Sequence, residues 1–151
     1  DSNGNVKDAA IVALGEQKAK EAVPYIADIL KSENDAWFHF SCIDALGKIG
    51  GEEVENVLIN SLNANYDDLS LHSIIETLGK MKSKKSVPPL LKLMNSLKEC
   101  CQFILLSALV KNLSEELISH KELIEKEAVM EKALNFINNE EKDLWSRYYI
   151  I

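Results

Sequence analysis

A single pattern recurs along this chain at intervals of 32 residues. The run Ala13-Leu14-Gly15 returns as Ala45-Leu46-Gly47 and again as Thr77-Leu78-Gly79. A period of roughly 20 to 50 residues is typical of stacked supersecondary units, each of which buries its apolar face only against its neighbours. The repeat therefore predicts one continuous array over residues 1–151, rather than a layered globular domain.

Apolar residues within each period follow helical spacing, and no alternating β pattern competes with it. The first helix of each unit is predicted to bury the following sets: Val6, Ala10, Ala13 and Leu14; Phe38, Cys42, Ala45, Leu46 and Ile49; Ile74, Ile75, Leu78 and Met81. Pro24 and Pro88 predict the first turns of second helices, where a missing N–H costs nothing. Asn34-Asp35 and Asp67-Asp68 are the predicted polar N-caps of the following first helices.

Three glycines, Gly15, Gly47 and Gly79, are predicted to end the first helices, because a helix C-terminus favours a left-handed residue without a Cβ atom. The resulting fold is all-α, a right-handed α-solenoid (alpha-alpha superhelix) of about four helix pairs. Its approximate repeats are residues 1–32, 33–64, 65–97 and 98–138. Residues 139–151 are predicted to form a capping segment.

The residues of the first unit resemble a known family. Val6-Lys7, Ala9-Ala10 and Ala13-Leu14-Gly15, followed eight residues later by Val23-Pro24, look like short HEAT-like repeats of the type found in phycobilisome-lyase-like proteins. The resemblance implies the helical-repeat fold and says little about activity, because function depends on surface sites that vary on one fold. Helical-repeat metal hydroxylases carry repeated His-Glu pairs, and this sequence has none.

Composition restricts the classes of partner. The formal net charge of -7 would repel the phosphates of nucleic acids and anionic membrane surfaces, so neither is a predicted partner. Three cysteines, an odd number with Cys100 and Cys101 adjacent, favour a reducing compartment and a cytoplasmic location. Because Asp1 aligns with the start of a repeat and no polar capping helix precedes it, the N-terminus is expected to be an artificial or domain boundary rather than a natural cap.

No group of residues indicates catalysis, a cofactor or a metal site. His39 and His72 lie near matching positions of two repeats, but Cys, Asp or Glu ligands do not accompany them at tight spacing, so both are predicted to be structural. Cys100 and Cys101 are predicted to pack, because the neighbouring Glu99 disfavours a reactive thiolate. The chain is therefore predicted not to be an enzyme and to need no cofactor.

The water-facing positions of the second helices form a candidate binding surface, since second helices usually line the concave side of such a solenoid. The candidate residues, spaced by three or four within each helix, are Pro24, Asp28, Lys31, Asn56, Asn60, Asn63, Pro88, Lys92 and Asn95. This mixed, asparagine-rich groove suits an extended peptide or another protein, and a plain solvated face is the alternative.

Trp37 and Phe40 belong to the densest aromatic cluster of the chain. The favoured prediction is that they pack between neighbouring first helices, and the alternative is that they anchor a partner, because Trp and Tyr are enriched in interface hot spots.

The predicted function is a non-catalytic protein–protein interaction or scaffold module that presents a concave helical-repeat groove. One alternative is a lyase-like or chaperone-type subunit that holds an apolar ligand or helps an enzyme. A second is a nucleic-acid-binding repeat, which the acidity disfavours. The apolar residues 144–151 are predicted to pack onto the last repeat, with self-association as the alternative.

Overall fold

The structure is a computed structural model and describes residues 2–64 and 66–93. These residues form six α-helices in three consecutive pairs, and two single 3-10 turns, Lys20–Ala22 and Lys84–Ser86, precede α2 and α6. The helices are α1 (Ser2–Glu16), α2 (Val23–Ser32), α3 (Ala36–Ile49), α4 (Glu52–Ser61), α5 (Asp68–Lys80) and α6 (Val87–Leu93). Within the described part of the chain all regular structure is helical, which confirms the all-α prediction. The predicted fourth repeat and capping segment lie outside the described residues.

The helix pairs stack into a solenoid. Helix α1 packs along α3 and α3 packs along α5, while α2 and α4 each contact the first helix of the following pair. One continuous apolar core runs through these contacts; its fully buried large side chains are Ile11, Ile26, Leu30, Ile43, Leu46, Leu58, Ile74, Ile75, Leu78 and Leu90. Each unit therefore buries its apolar face mainly against its neighbours, as the period of the sequence predicts.

Each predicted pair of capping residues contains the observed N-cap, Asp35 for α3 and Asp67 for α5. The side chain of Asp35 accepts a hydrogen bond from the amide of Trp37 (2.8 Å), and that of Asp67 accepts from the amides of Leu69 and Ser70 (2.9 and 3.0 Å). These bonds satisfy amides that have no partner inside the helix. The caps therefore fix where α3 and α5 begin and which residues lie on each face of them.

The prediction that Gly15, Gly47 and Gly79 end the first helices is wrong. All three lie inside α1, α3 and α5, and the left-handed backbone occurs three residues later in each unit. The residues at that later position are Lys18 (φ 52°), Gly50 (φ 67°) and Lys82 (φ 53°). Around Lys18 the amide of Ala19 donates to the carbonyl of Leu14 at 3.1 Å, the bond typical of a Schellman motif.

The helical glycines instead allow the first helices to approach each other closely. A Cβ atom on Gly15 would lie 2.7 Å from the Cα of Ala45, and one on Gly47 would lie 2.8 Å from the Cγ2 of Thr77. Both distances are shorter than van der Waals contact. The repeated glycine is thus required by helix packing rather than by a turn.

The predicted buried face of α1 is also partly wrong. Val6, Ala10 and Ala13 are exposed, and Leu14 is half-buried, whereas Ile11 is buried. The equivalent residues of α3 are covered because α1 packs against them, but among the described residues α1 has a neighbouring first helix on one side only. The same position of the repeat is therefore buried in one unit and exposed in another.

Candidate interaction surfaces

The predicted second-helix residues lie on the surface of their helices. Exposed side chains are found at Pro24, Asp28 and Lys31 of α2, at Asn56 and Asn60 of α4, at Asn63 just after α4, and at Lys92 of α6. Pro88 is half-buried, and Asn95 lies outside the described residues. The stripe combines amide donors and acceptors with isolated charges, so its chemistry suits hydrogen bonding to a polypeptide more than binding of a polyanion.

Trp37 and Phe40 do not pack between first helices, so the favoured prediction for this pair is wrong. Their side chains are 66% and 57% exposed. Phe38 packs towards α1 instead, with the Lys7 ammonium 5.4 Å from its ring centroid. Because successive residues turn by about 100° around a helix, the side of α3 that buries Cys42 leaves Phe40 facing away from the core.

Leu69 extends this surface onto the next helix and was missed by the sequence analysis. It lies on α5, one 32-residue period after Trp37, and its side chain is 72% exposed. The contact between His39 and Ser70 ties the beginnings of α3 and α5 together, and Phe40 and Leu69 are the sequence neighbours of these two residues. Trp37, Phe40 and Leu69 are hereafter called the apolar patch. The signal that could have identified Leu69 was the repeat itself.

His39 is buried beneath the apolar patch and connects three segments. Its Nε2 lies 2.8 Å from the carbonyl oxygen of Glu33, and its Nδ1 lies 2.9 Å from the Oγ of Ser70. A carbonyl oxygen only accepts, so Nε2 carries a proton and donates. The ring also meets Tyr66 edge-on, with centroids 4.8 Å apart.

These contacts give His39 a structural role, and both of its ring nitrogens are engaged within the protein. Among residues 2–64 and 66–93 no group of three His, Cys, Asp or Glu side chains is arranged to hold a metal ion. Burial raises the pKa of the Cys42 thiol to about 12, although the charge of Lys7 opposes the rise. This thiol is therefore neutral at physiological pH and is a poor nucleophile.

Carboxylates border the apolar patch. Asp35 and Asp67 cap the two helices, and Asp68 is the first residue of α5. The hydroxyl of Ser70 donates to Asp67 at 2.5 Å, and this bond is the main reason that the pKa of Asp67 is lowered. The carboxylate of Asp67 beside the patch is therefore ionised at neutral pH.

The lysines of α3 and α5 lie at the opposite edge, whereas Lys7 of α1 pairs with Glu33 near the beginning of α3. Lys48 and Lys80 are in the last turns of α3 and α5. Lys48 pairs with Glu16 (2.6 Å) and Asp44 (2.8 Å), and Lys80 pairs with Glu76 (2.8 Å). Lys85 is paired with Glu52 at the same edge. The array thus has an acidic edge with the apolar patch and an edge where lysines and carboxylates are paired.

Comparison with known proteins gives one family match: residues 1–71 match the family model for HEAT repeats. A search of the curated proteins found no match. HEAT repeats commonly act as protein-interaction scaffolds and are generally non-catalytic. No helix within residues 2–64 and 66–93 is long and apolar enough to cross a membrane. The match covers α1 to α4 and the beginning of α5 and does not distinguish the phycobilisome-lyase-like type of repeat; together with the three stacked helix pairs it supports a HEAT-like repeat array.

Proposed function

We propose that this chain is a non-catalytic protein-interaction module that binds another protein or a peptide through the surface of its helical array. The observation that carries the proposal is the exposure of Trp37 and Phe40 on one helix. Large aromatic side chains provide much of the binding energy at interfaces, because they bury a large area at a low cost in side-chain entropy.

The second-helix stripe is the other proposed contact surface. Asn56 and Asn60 of α4 lie on one side of that helix, and Pro24 and Asp28 hold the corresponding positions on α2, followed by Lys31. An extended peptide crossing these helices would meet alternating amides and charges that satisfy its backbone groups. The stripe therefore provides polar recognition, whereas the apolar patch provides an anchor.

The competing functions have less support. A subunit that holds an apolar ligand needs an enclosed pocket lined by aromatic residues, whereas Trp37 and Phe40 face outwards. A nucleic-acid-binding repeat needs a basic stripe, whereas Lys48, Lys80 and Lys85 are paired with carboxylates. The odd number of cysteines and the buried free thiol of Cys42 support a cytoplasmic location, which we also propose.

The proposal is tested by co-purification from the native source, with bound proteins quantified for the wild type and three variants. The double variant Trp37→Ala/Phe40→Ala should reduce retention of a specific partner about tenfold or more. The double variant Asn56→Ala/Asn60→Ala tests the stripe. Tyr25→Ala is the matched control for the apolar patch, because Tyr25 is 72% exposed but lies on α2 rather than on α3 or α5.

The proposal would be supported if the Tyr25 variant retains a partner that one of the two double variants loses. Equal retention by the wild type and both double variants would contradict the assigned surfaces. A wild-type chain that retains no protein and instead turns over a substrate would overturn the proposed function.

A further inference from the structure

The apolar patch spans the beginnings of two neighbouring helices. Trp37 and Phe40 are three residues apart on α3 and so are neighbours on its surface. Leu69 lies on α5 next to Ser70, whose hydroxyl is 2.9 Å from the Nδ1 of His39, and His39 precedes Phe40. The same buried contact therefore holds together the two helix segments that carry the three exposed side chains, so that a partner would meet them on a preformed backbone.

The charges around this surface are mainly negative, and Lys7, which lies over the Phe38 ring, is paired with Glu33. Asp35, Asp67 and Asp68 lie at the beginnings of α3 and α5, beside the patch, whereas the only lysines of these two helices lie in their last turns. The lowered pKa of Asp67 means that its carboxylate stays ionised at neutral pH. Complementary charge at an interface rim speeds association and selects among partners.

We propose that the apolar patch binds a basic amphipathic segment of a partner protein, with leucine-like or aromatic side chains on the patch and lysine or arginine side chains beside Asp35 and Asp68. This inference rests on the proposed function and adds the chemical class of the partner. An acidic or neutral segment lacks the complementary charge and binds more weakly.

The test uses the full chain with Trp145→Phe, which leaves Trp37 as the only tryptophan. The probe is a short helical peptide with leucines on one face and lysines on the other, and its partner is the same peptide with every lysine replaced by glutamate. Trp37 fluorescence and titration calorimetry report binding. We expect the lysine peptide to bind at least about tenfold more tightly than the glutamate peptide, with an affinity that falls as salt rises.

Two pairs of variants locate the binding. Leu69→Ala should weaken the lysine peptide about tenfold, and Tyr25→Ala should leave its affinity unchanged. The double variant Asp35→Ser/Asp68→Ser keeps a side-chain oxygen at the N-cap and removes two charges from the patch; it should weaken binding about threefold to tenfold. The double variant Glu21→Ser/Glu53→Ser changes the net charge equally, but at the beginnings of the second helices, and should have a smaller effect.

The remaining outcomes would overturn the inference. Equal binding of the two peptides, or equal effects of the two charge-matched double variants, would show that the patch does not select basic segments and would leave the proposed function standing. If Leu69→Ala leaves the affinity for the lysine peptide unchanged, the binding site lies elsewhere. A wild-type chain that retains no partner in the co-purification would, by contrast, count against the proposed function itself.

Discussion

Two lysines adopt a backbone conformation for which the same repeat elsewhere uses glycine. Lys18 and Lys82 have φ angles of 52° and 53°, and the equivalent residue of the middle unit is Gly50. A side chain at a left-handed position brings its Cβ atom close to the following carbonyl, which costs about 1 kcal/mol or more relative to glycine. Two of the three turns thus carry a local strain that the helix packing tolerates.

Lys82→Gly should therefore stabilise the protein. We expect an increase of up to about 1 kcal/mol in the free energy of unfolding, because relief of the strain outweighs the greater freedom of glycine in the unfolded chain. Lys80→Gly is the control: Lys80 lies in the last turn of α5 and pairs with Glu76, so glycine there should destabilise. Urea melts of both variants measure the difference, and a loss of stability in Lys82→Gly would contradict the assigned left-handed turn.

Asp67 should make a stability contribution that depends on pH. Its pKa is lowered in the folded state, mainly by the Ser70 hydroxyl, so the contribution is present above the unfolded pKa of about 3.9 and is lost as pH falls through the folded value. Asp67→Ala should cost about 1 to 2 kcal/mol at pH 7, and this difference from the wild type should shrink to the cost of the lost packing in acid.

Asp35→Ala is the comparison for this effect, because Asp35 accepts one backbone hydrogen bond at its cap whereas Asp67 accepts two and also the Ser70 hydroxyl. We expect the Asp35 variant to lose less stability at pH 7. Chemical denaturation at a series of pH values gives both curves, and a difference between Asp67→Ala and wild type that is constant down to the acid transition would refute the electrostatic origin.

At the scale of the helices, the closest approaches in the array occur between first helices. Gly15 faces Ala45 across α1 and α3, and Gly47 faces Thr77 across α3 and α5. The two glycines occupy the same column of the repeat but meet different atoms, backbone in one case and a side-chain methyl in the other. The cost of adding a methyl group should differ accordingly.

Gly15→Ala should destabilise the array by about 1 to 3 kcal/mol. Alanine favours a helix by about 1 kcal/mol over glycine, but its Cβ atom would lie 2.7 Å from the Cα of Ala45, so the helices must separate. Gly47→Ala should cost less, because the Thr77 methyl group at 2.8 Å belongs to a side chain that can change rotamer. Thermal melts of the two variants rank them, and a greater loss for Gly47→Ala would show that α1 adapts more easily than α3 and α5.

For the whole molecule, the sequence predicted the fold better than the surfaces. The 32-residue spacing of Ala13, Ala45 and Thr77 was sufficient to predict the stacked helix pairs, because apolar residues with helical spacing recur at the same interval. The burial of individual columns depends on neighbours: Cys42 is covered by α1, whereas the equivalent Ala10 is exposed. A single helical wheel cannot supply that information.

The candidate surfaces show the same distinction. Asn56 and Asn60 are exposed as expected, because a polar residue opposite a buried stripe faces water on any amphipathic helix. Trp37 and Phe40 could not be placed from their apolar character, since such residues are normally core. The buried hydrogen-bond contacts of His39 with Glu33 and Ser70 join residues of different elements, and they cannot be predicted from sequence spacing.

Unfolding of the array should be cooperative along the stacked helix pairs. Leu46 is fully buried on α3, the first helix that has a first-helix neighbour on each side among the described residues. Leu46→Ala should cost about 2 to 5 kcal/mol, whereas Asp44→Ala, which removes an exposed pair with Lys48, should cost under about 0.5 kcal/mol. Because each unit is stable only through its neighbours, loss at Leu46 should weaken the flanking pairs as well. Trp37 fluorescence, measured with Trp145→Phe in the background, and helical circular dichroism should then report coincident unfolding transitions in denaturant. Equal losses for the two variants would show that the helical register of α3 is wrong, and separated transitions would show that the helix pairs unfold independently.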